Sequence, residues 1–266
     1  MKLSIFASGS SGNCLLLSSG DCHILIDAGI SMRRIETGLR ESQLTFHDVS
    51  GVLITHEHSD HISGLKMLCK HHGVPIYAPH TIVNRLRGML PEAEPFLRVI
   101  RVGEAFALGG FRVTAFHTPH DTDESVGYRV EGGGCFAMAT DMGHVTEEVR
   151  NALTGAHTVL IEANHDVDML SYGPYPVYLK RRILSDRGHL SNENCGKLAR
   201  YLCLHGTSQV VLGHLSKENN RPDIALAAVR QQLMDLPVEL HCAPAAGGLT
   251  LNVEDACLCC LYNSSV

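Results

Sequence analysis

A chain of 266 residues can form one large domain or two small ones, and its 44% hydrophobic and 19% charged residues are typical of a globular protein with a sizeable core. The formal net charge of −6 argues against broad, non-specific affinity for nucleic acid, which normally accompanies a basic domain. This charge still leaves room for a local site that binds phosphate.

The sequence also indicates a compartment. The apolar runs are far too short to cross a bilayer, and residues 1–6 lack the long apolar core of a signal peptide. We therefore expect a cytoplasmic protein with no membrane partner. Most of the ten cysteines lie singly in predicted strands and helices, which favours reduced, buried thiols. The cysteine cluster at 257–260 has no histidine nearby to complete a zinc site, and its role is left open.

Runs of apolar and β-branched residues, bounded by glycine or polar turns, predict a series of strands. The predicted strands are 3–7, 14–18, 22–27, 51–54, 75–78, 111–116, 125–130, 135–139, 158–162, 209–212 and 249–252. The predicted helices are 63–72, 81–89, 146–153, 176–185, 192–204 and 223–234. Because no linker, repeat or charge run interrupts this mixture, we expect an α/β fold whose sheets are covered by helices, in a single domain over residues 1–266.

The most informative segment is the motif HxHxDH at positions 56–61, directly after the predicted strand 51–54. It places four metal-ligand side chains at a predicted strand-to-helix turn. His56 and His58 can converge on one cation, whereas Asp60 and His61 point to a second. A compact His/Asp cluster favours metal binding or catalysis over a merely solvated polar loop. The motif therefore predicts a dinuclear centre.

Three later predicted strands also end in candidate ligands. Strand 111–116 runs into His117 and His120, strand 135–139 into Asp141, and strand 209–212 into His214. A dinuclear site needs more ligands than the HxHxDH motif supplies, and these residues are the candidates to complete it.

This succession of HxHxDH, a His, an Asp and a His at strand ends resembles the metallo-β-lactamase fold superfamily over nearly the whole chain. The resemblance implies a four-layer αβ/βα sandwich with two metals at one edge of the sheets. It favours His120 over His117, because His120 precedes the Ser-x-Gly-Tyr sequence at 125–128, as in the phosphodiesterase version of the motif. It implies a first metal bound by His56, His58 and His120, a second bound by Asp60, His61 and His214, and Asp141 as the bridge.

A finer resemblance is to the YycJ/WalJ-like, nuclease-type branch of this family. It rests on SGSSGN at 8–13, EANHD at 162–166, GHLSNE at 188–193 and HLSKENN at 214–220. The Gly/Ser segment has an alternative interpretation as a flexible hairpin turn. The branch implies a phosphodiesterase, with 5′-to-3′ exonuclease activity on DNA as its suggested role.

His189 is the candidate for a catalytic histidine that binds no metal. Its loop follows a basic segment and resembles the loop that carries such a histidine in RNA- and DNA-processing relatives. A near-neutral pKa would suit an imidazole that protonates a leaving alkoxide. The alternative is a loop that caps a helix through Ser191 or Asn192, and both interpretations can hold. Asp60 is predicted to contribute to catalysis as well as to metal binding.

Three further residues are candidates to support the ligands or to contact substrate. Asp27 closes the predicted strand 22–27 and resembles the superfamily carboxylate that orients the metal site by hydrogen bonding, although it can equally be a turn or cap residue before Gly29. His165 follows strand 158–162 and either reaches the site or only forms a turn. Arg187 belongs to the basic segment before His189.

The predicted reaction is phosphodiester hydrolysis by a hydroxide shared between two divalent metals. The ligands suit Zn²⁺ or Mn²⁺, with Fe²⁺ also compatible. The expected partner is nucleic acid, bound as DNA ends through a local site, and the oligomeric state is left open. One alternative is another hydrolase of the same fold, acting on a thioester or a lactam. The other is a non-enzymatic metal-binding regulator, although a structural metal site normally has a closed ligand shell.

Overall fold

The computed structural model describes residues 1–234 and 236–255, and the strands in these residues form two seven-stranded sheets. The first sheet contains β1 (Lys2–Ala7), β2 (Cys14–Ser19), β3 (Cys22–Ile26), β4 (Val49–Leu53), β5 (Ile76–Pro79) and β6 (Leu97–Ile100). The second contains β7 (Ala105–Leu108), β8 (Phe111–His117), β9 (Val126–Glu131), β10 (Cys135–Ala139), β11 (Thr158–Glu162), β12 (Gln209–Gly213) and β13 (Glu239–Cys242). The chain then returns to the first sheet, where β14 (Leu249–Asn252) pairs with β1.

Helices cover the outer faces of the two sheets. They are α1 (Met32–Glu41), α2 (Ser59–Ile62), α3 (Leu65–His71), α4 (His80–Met89), α5 (Glu147–Leu153), α6 (Val167–Tyr172), α7 (Val177–Ile183), α8 (Asn192–Leu204) and α9 (Pro222–Leu233). One apolar cluster includes residues of both sheets, such as Ile24 and Val113, and a second joins α5, α8 and α9 to the second sheet. The α/β class and the arrangement of helices over two sheets, both expected from the sequence, are confirmed.

Parallel pairing brings several strand ends to one edge of the molecule. Strands β3 to β6 run parallel in the first sheet, and β10 to β13 run parallel in the second. The central strands β10, β11 and β12 are buried along their whole length, as is typical of parallel strands covered on both faces. In folds of this kind, ligands bind beyond the carboxyl ends of the parallel strands.

Several elements were not predicted from the sequence: α1, α6, β6, β7 and β13. In α1 only Ile35, Gly38 and Leu39 are buried among charged residues, so the apolar spacing is sparse. Strand β13 lies at a sheet edge with its residues half-buried or exposed, which removes the alternating pattern. The short α2 was not among the predicted helices either, and the helix predicted at 63–72 corresponds to α3, which begins two residues later and ends one residue earlier. The cysteines at 257–260 lie outside the described residues. None of the helices in residues 1–234 and 236–255 has both the length and the hydrophobicity to cross a membrane.

Candidate metal centre

The HxHxDH motif lies where the chain leaves β4 and enters α2. His56 lies in the extended connection, and His58 is the N-cap of α2, with φ −65° and ψ 150°. Asp60 and His61 then fall within α2 itself. The strand-to-helix turn therefore directs all four side chains to the same side.

A first group of candidate ligands consists of His56, His58 and His120, each with a ligand atom within 4.8 Å of the others. His120 Nε2 lies 3.3 Å from His58 Nδ1. His117, the alternative to His120, is exposed and lies beside Glu148 and Glu124, with ring nitrogens 3.2 and 3.6 Å from their carboxylates. The structure thus brings His120, and not His117, to the cluster.

A second group consists of Asp60, His61 and His214, also within 4.8 Å of one another. Asp60 Oδ2 lies 3.3 Å from His214 Nε2 and 3.5 Å from His61 Nε2. Asp141 lies between the two groups. Its Oδ2 is 3.4 Å from His61 Nε2, and its Oδ1 is 3.4 Å from His214 Nε2 and 3.8 Å from His120 Nε2. This position suits a carboxylate that bridges two cations.

The donor set fits divalent metals on an independent criterion. Eight side-chain polar atoms of the described residues are buried without a hydrogen-bond partner, and three of them, His56 Nε2, Asp141 Oδ2 and Asp121 Oδ1, lie at the cluster. An unpartnered buried polar atom is costly, and here two of the three belong to predicted ligands while the third lies 3.3 Å from His120 Nε2. Cations bound between these atoms would satisfy them.

The ionisable groups of the cluster strongly perturb one another. Burial lowers the pKa of His56 well below its usual range, and the neighbouring imidazoles add to this effect. For His61 burial acts in the same direction, but Asp27 and Asp141 outweigh it and raise the pKa to about 10. Burial would raise the pKa of Asp60, yet hydrogen bonds with His214 and His61 lower it. A concentration of perturbed pKa values in one cleft is typical of a functional site.

Asp27 fixes the orientation of the His61 ring from the side opposite the cluster. Its Oδ2 accepts a hydrogen bond of 2.7 Å from His61 Nδ1, and its Oδ1 accepts from the backbone N–H and the hydroxyl of Thr55 at 2.9 and 3.1 Å. A carboxylate accepts only, so His61 carries a proton on Nδ1, and in the neutral imidazole the lone pair of Nε2 faces the cluster. Asp27 thus occupies the orienting position that the sequence suggested for it.

Glu162 is a residue of the site whose role the sequence did not reveal. It ends β11 and is fully buried. Its Oε1 accepts hydrogen bonds from His189 Nδ1 at 2.7 Å and from His214 Nδ1 at 3.0 Å. Its Oε2 accepts from the backbone N–H groups of Met142 and Leu190. The one available signal was an acidic residue at the end of an otherwise apolar strand.

His189 lies beside the candidate ligands and outside the two groups described above, although it also has a ring nitrogen within 4.8 Å of ligand atoms of Asp141, Glu162 and His214. Its ring is stacked on His214 at 5.4 Å between centroids and lies 5.2 Å from the ring of His120. Burial would lower its pKa, but Glu162 raises it. The side chain is 22% exposed, and within residues 1–234 and 236–255 its Nε2 makes no hydrogen bond. Ser191 also caps α8, accepting from the N–H of Asn194, so both interpretations of this loop are compatible with the structure.

Arg187 and His165 have different surroundings. The Arg187 guanidinium donates to the backbone carbonyl of His120 at 2.7 Å and to that of Thr122, so it fixes the loop that carries His120. His165 is buried, and burial lowers its pKa to about 4. Neither of its ring nitrogens has a partner among the described residues, whereas its neighbour Asp166 caps α6. Within residues 1–234 and 236–255, no hydrogen bond connects the His165 side chain with the cluster.

The Gly/Ser segment between β1 and β2 contributes to the site. Asn13 Nδ2 donates to the carbonyl of Asp60 at 3.3 Å and lies 3.1 Å from His61 Nε2. The Ser8 hydroxyl accepts from the backbone N–H of His214 at 2.9 Å. This segment therefore anchors both halves of the cluster and is more than a hairpin turn.

Three site residues have an unusual backbone. Asp27, Asp141 and His214 have φ values of 59°, 56° and 53°. Non-glycine residues rarely adopt this left-handed conformation, and it costs about 1–3 kcal/mol where the surrounding structure enforces it. In each case it turns the chain sharply after an apolar strand and directs the side chain into the cluster.

Comparison with known proteins identifies the class. Residues 23–215 match the beta-lactamase superfamily domain, and the chain belongs to this family. It is a metal-dependent hydrolase of the metallo-β-lactamase fold, as expected from the sequence.

Similar proteins then define the branch. Exodeoxyribonuclease YycJ of Bacillus anthracis is 36% identical and aligns over 88% of this chain and 89% of that protein. Exodeoxyribonuclease WalJ of Streptococcus pneumoniae serotype 2 is also 36% identical, over 87% of this chain and 88% of that protein. The metallo-β-lactamase fold protein YhfI from Bacillus subtilis, 17% identical, superposes with a TM-score of 0.71 over 94% of this chain and 99% of that one. The resemblance to the YycJ/WalJ-like branch is confirmed.

Proposed function

We propose that the chain is a dinuclear metal-dependent phosphodiesterase that degrades DNA from 5′ ends. Two relatives of similar length are named exodeoxyribonucleases, and the alignments extend over nearly nine tenths of this chain. The function is assigned to one hydrolase domain formed by residues 1–266, in the cytoplasm. Its partner is a nucleic acid end and its cofactors are two divalent ions.

The proposed ligand sets are those implied by the sequence. His56, His58 and His120 would hold one ion, Asp60, His61 and His214 would hold the other, and Asp141 would bridge them. Mixed imidazole and carboxylate ligation suits Zn²⁺ or Mn²⁺, and Fe²⁺ as well. When bound, such ions supply Lewis acidity and positive charge for an anionic phosphodiester.

His189 and Glu162 provide the observation that favours a phosphodiester substrate. Glu162 fixes Nδ1–H of His189, which leaves Nε2 free beside the ligand rings. A raised pKa keeps a proton available, so Nε2–H can donate to a phosphoryl oxygen and then protonate the leaving 3′ or 5′ oxygen. Asp60, whose side chain is 23% exposed, would accept a hydrogen bond from the attacking water.

The direct test uses single-stranded DNA labelled at one end and protein that has been stripped of metal and reloaded with Mn²⁺ or Zn²⁺. Attack from the 5′ end releases a 5′ label at once as a mononucleotide, while a 3′ label shortens stepwise. The matched control is Asp141→Asn, which keeps the shape of the side chain but removes its charge.

Two other results would contradict the proposal. Turnover of a glutathione thioester or of nitrocefin without cleavage of DNA or of bis-p-nitrophenyl phosphate would identify another hydrolase of the same fold. Tight metal binding without turnover of any of these substrates would identify a regulator.

A further inference from the structure

Residues 172–187 form an exposed surface segment, here called the tyrosine–arginine segment. Within it Tyr172 is 89% exposed, Tyr178 is 74% exposed and Val177 is 64% exposed. Three of the seven tyrosines of the chain fall in these sixteen positions. Large aromatic side chains left in solvent commonly mark an interaction surface, because a folded protein gains by burying them.

The charge of this segment is opposite to that of the whole chain. It contains the cationic residues Lys180, Arg181, Arg182 and Arg187 and a single carboxylate, Asp186, in a chain of formal charge −6. Arg181 is exposed and forms no ion pair within residues 1–234 and 236–255. An exposed cationic patch on an acidic protein suits a polyanion.

The segment is continuous with the metal centre. Arg182 forms an ion pair with Asp121, whose other carboxylate oxygen lies 3.3 Å from His120 Nε2. Arg187 donates to the backbone of His120 and Thr122. The segment ends two positions before His189. A chain lying on this surface would therefore lead directly to the candidate ligands.

We propose that the tyrosine–arginine segment binds the single-stranded part of a DNA substrate and guides its end to the metal centre. The faces of Tyr172 and Tyr178 stack on successive bases, and Lys180 and Arg181 contact phosphates. Exposed aromatic residues interleaved with cations are how proteins bind single strands without reading sequence. A second copy of this chain is a poorer occupant, because a symmetric contact would oppose the same four cations.

This inference deepens the proposed function and rests on it. Binding is measured separately from cleavage, by fluorescence anisotropy of a short phosphorothioate-linked single strand with the metal-loaded protein. The double variant Tyr172→Ala/Tyr178→Ala should bind at least about tenfold more weakly, since loss of one base stack alone has roughly this effect. The single variant Tyr178→Trp, with Tyr172 left in place, should retain its affinity for the single strand. Arg181→Gln should make the log–log salt dependence shallower by about 0.7, the value for one phosphate contact on a single strand.

Two matched controls lie away from the segment. Leu204→Ala removes an exposed apolar side chain at the far end of α8, and Arg112→Gln removes a surface cation at the opposite end of β8 from His117. Both should bind the single strand with wild-type affinity.

The possible outcomes separate the two proposals. If the protein cleaves DNA but the tyrosine and Arg181 variants bind with wild-type affinity, the inference is wrong and the function stands. If these variants lose affinity but the wild-type protein never cleaves DNA, the surface assignment stands and the nuclease proposal fails. If sedimentation shows that the double variant breaks a dimer while single-strand affinity is unchanged, the segment is a self-association surface.

Discussion

In three of the candidate ligand histidines, the ring nitrogen that faces away from the cluster is held by a protein group. His61 is held by Asp27, His214 by Glu162, and His120 by the carbonyl of Gly188 at 3.3 Å. Each such contact selects a tautomer and fixes the plane of the ring, so that the opposite nitrogen points into the cluster. The site is therefore organised by its outer partners as much as by the ligands.

Replacement of His189 should separate catalysis from metal binding. In His189→Ala we expect an unchanged metal content and a kcat reduced by about 10²–10⁴-fold, the usual contribution of a general acid. Metal analysis beside turnover of bis-p-nitrophenyl phosphate measures both quantities. His205→Ala, at the end of α8, is the control. Full activity in His189→Ala would remove its catalytic role, and loss of metal would make it a ligand.

Replacement of Glu162 should affect metal binding and proton donation together. Glu162→Gln keeps the size of the side chain but places an amide where Oε1 accepts from both His189 and His214. We expect metal affinity to fall roughly 10- to 100-fold, as for other residues that orient a metal ligand. Competition with a chromophoric chelator measures this change. Glu148→Gln, at an exposed carboxylate outside the cluster, should bind metal normally. Unchanged affinity in Glu162→Gln would show that His214 needs no such support.

The sequence indicated the candidate ligands better than their supports. His56, Asp141 and His214 could be proposed because each directly follows an apolar strand, where polar ligand residues have little reason to lie by chance. Glu162 belongs to the strand itself, and Asn13 lies 47 positions before Asp60, whose carbonyl it contacts. Such contacts depend on tertiary packing, which local patterns do not record.

At the level of elements, close backbone approach determines the geometry of the HxHxDH turn. Gly29 follows Asp27 by two residues and lies against the carbonyl of Asp60, where a Cβ would come within 1.6 Å of the oxygen. The N–H of Gly29 donates to Asn13, whose own N–H donates to Asp60. Three segments that are distant in sequence thus meet through their backbones, and only glycine fits at their junction.

We expect Gly29→Ala to displace the start of α2 and to impair metal binding more than it impairs the folding of the rest of the protein. The matched substitution is Gly88→Ala in α4, where an added Cβ meets nothing within 4 Å. That change should stabilise the protein by about 0.5–1 kcal/mol, because alanine is the better helix former. Thermal unfolding and metal titration of both variants provide the comparison. Normal metal binding in Gly29→Ala would show that the turn can relax.

Strands made of continuous apolar residues could be predicted from the sequence, whereas elements whose formation depends on tertiary contacts could not. The parallel strands β10, β11 and β12 are continuous apolar segments, so composition alone marks them. Strand β13 has no fully buried residue that could mark an alternation, whereas Met32, Ile35 and Leu39 of α1 do follow a helical spacing but form only a narrow apolar face among charged residues. The basic segment before His189 was visible as sequence, but its exposed tyrosines were only apparent once α7 was placed on the surface.

For the whole molecule, the cluster joins the two sheets. Asp27 and the HxHxDH residues extend from β3 and β4 of the first sheet, while His120, Asp141 and His214 extend from β8, β10 and β12 of the second. Ions held between them would cross-link the sheets at one edge. Metal binding should therefore contribute to global stability and not only to activity.

Chelation tests this coupling. Ligand binding to the folded state alone stabilises by about 2.7 kcal/mol when the free ligand is at 100 times its Kd. We expect the Tm of wild-type protein to rise with Mn²⁺ or Zn²⁺ concentration and to fall with EDTA. In Asp60→Ala, which removes a proposed ligand of the second ion, the metal-dependent rise should be smaller. A Tm that does not respond to metal would argue against a cross-link between the sheets.

The left-handed residues Asp27, Asp141 and His214 also affect how substitutions at these positions should be interpreted. Alanine at φ near +55° is strained, so an alanine scan would mix a backbone penalty with the loss of a functional group at three of the most informative positions. Asparagine tolerates this conformation and lacks the charge. Random mutation at these sites therefore has few acceptable replacements, and an asparagine here in a natural variant would indicate that the chemistry was lost while the fold was preserved.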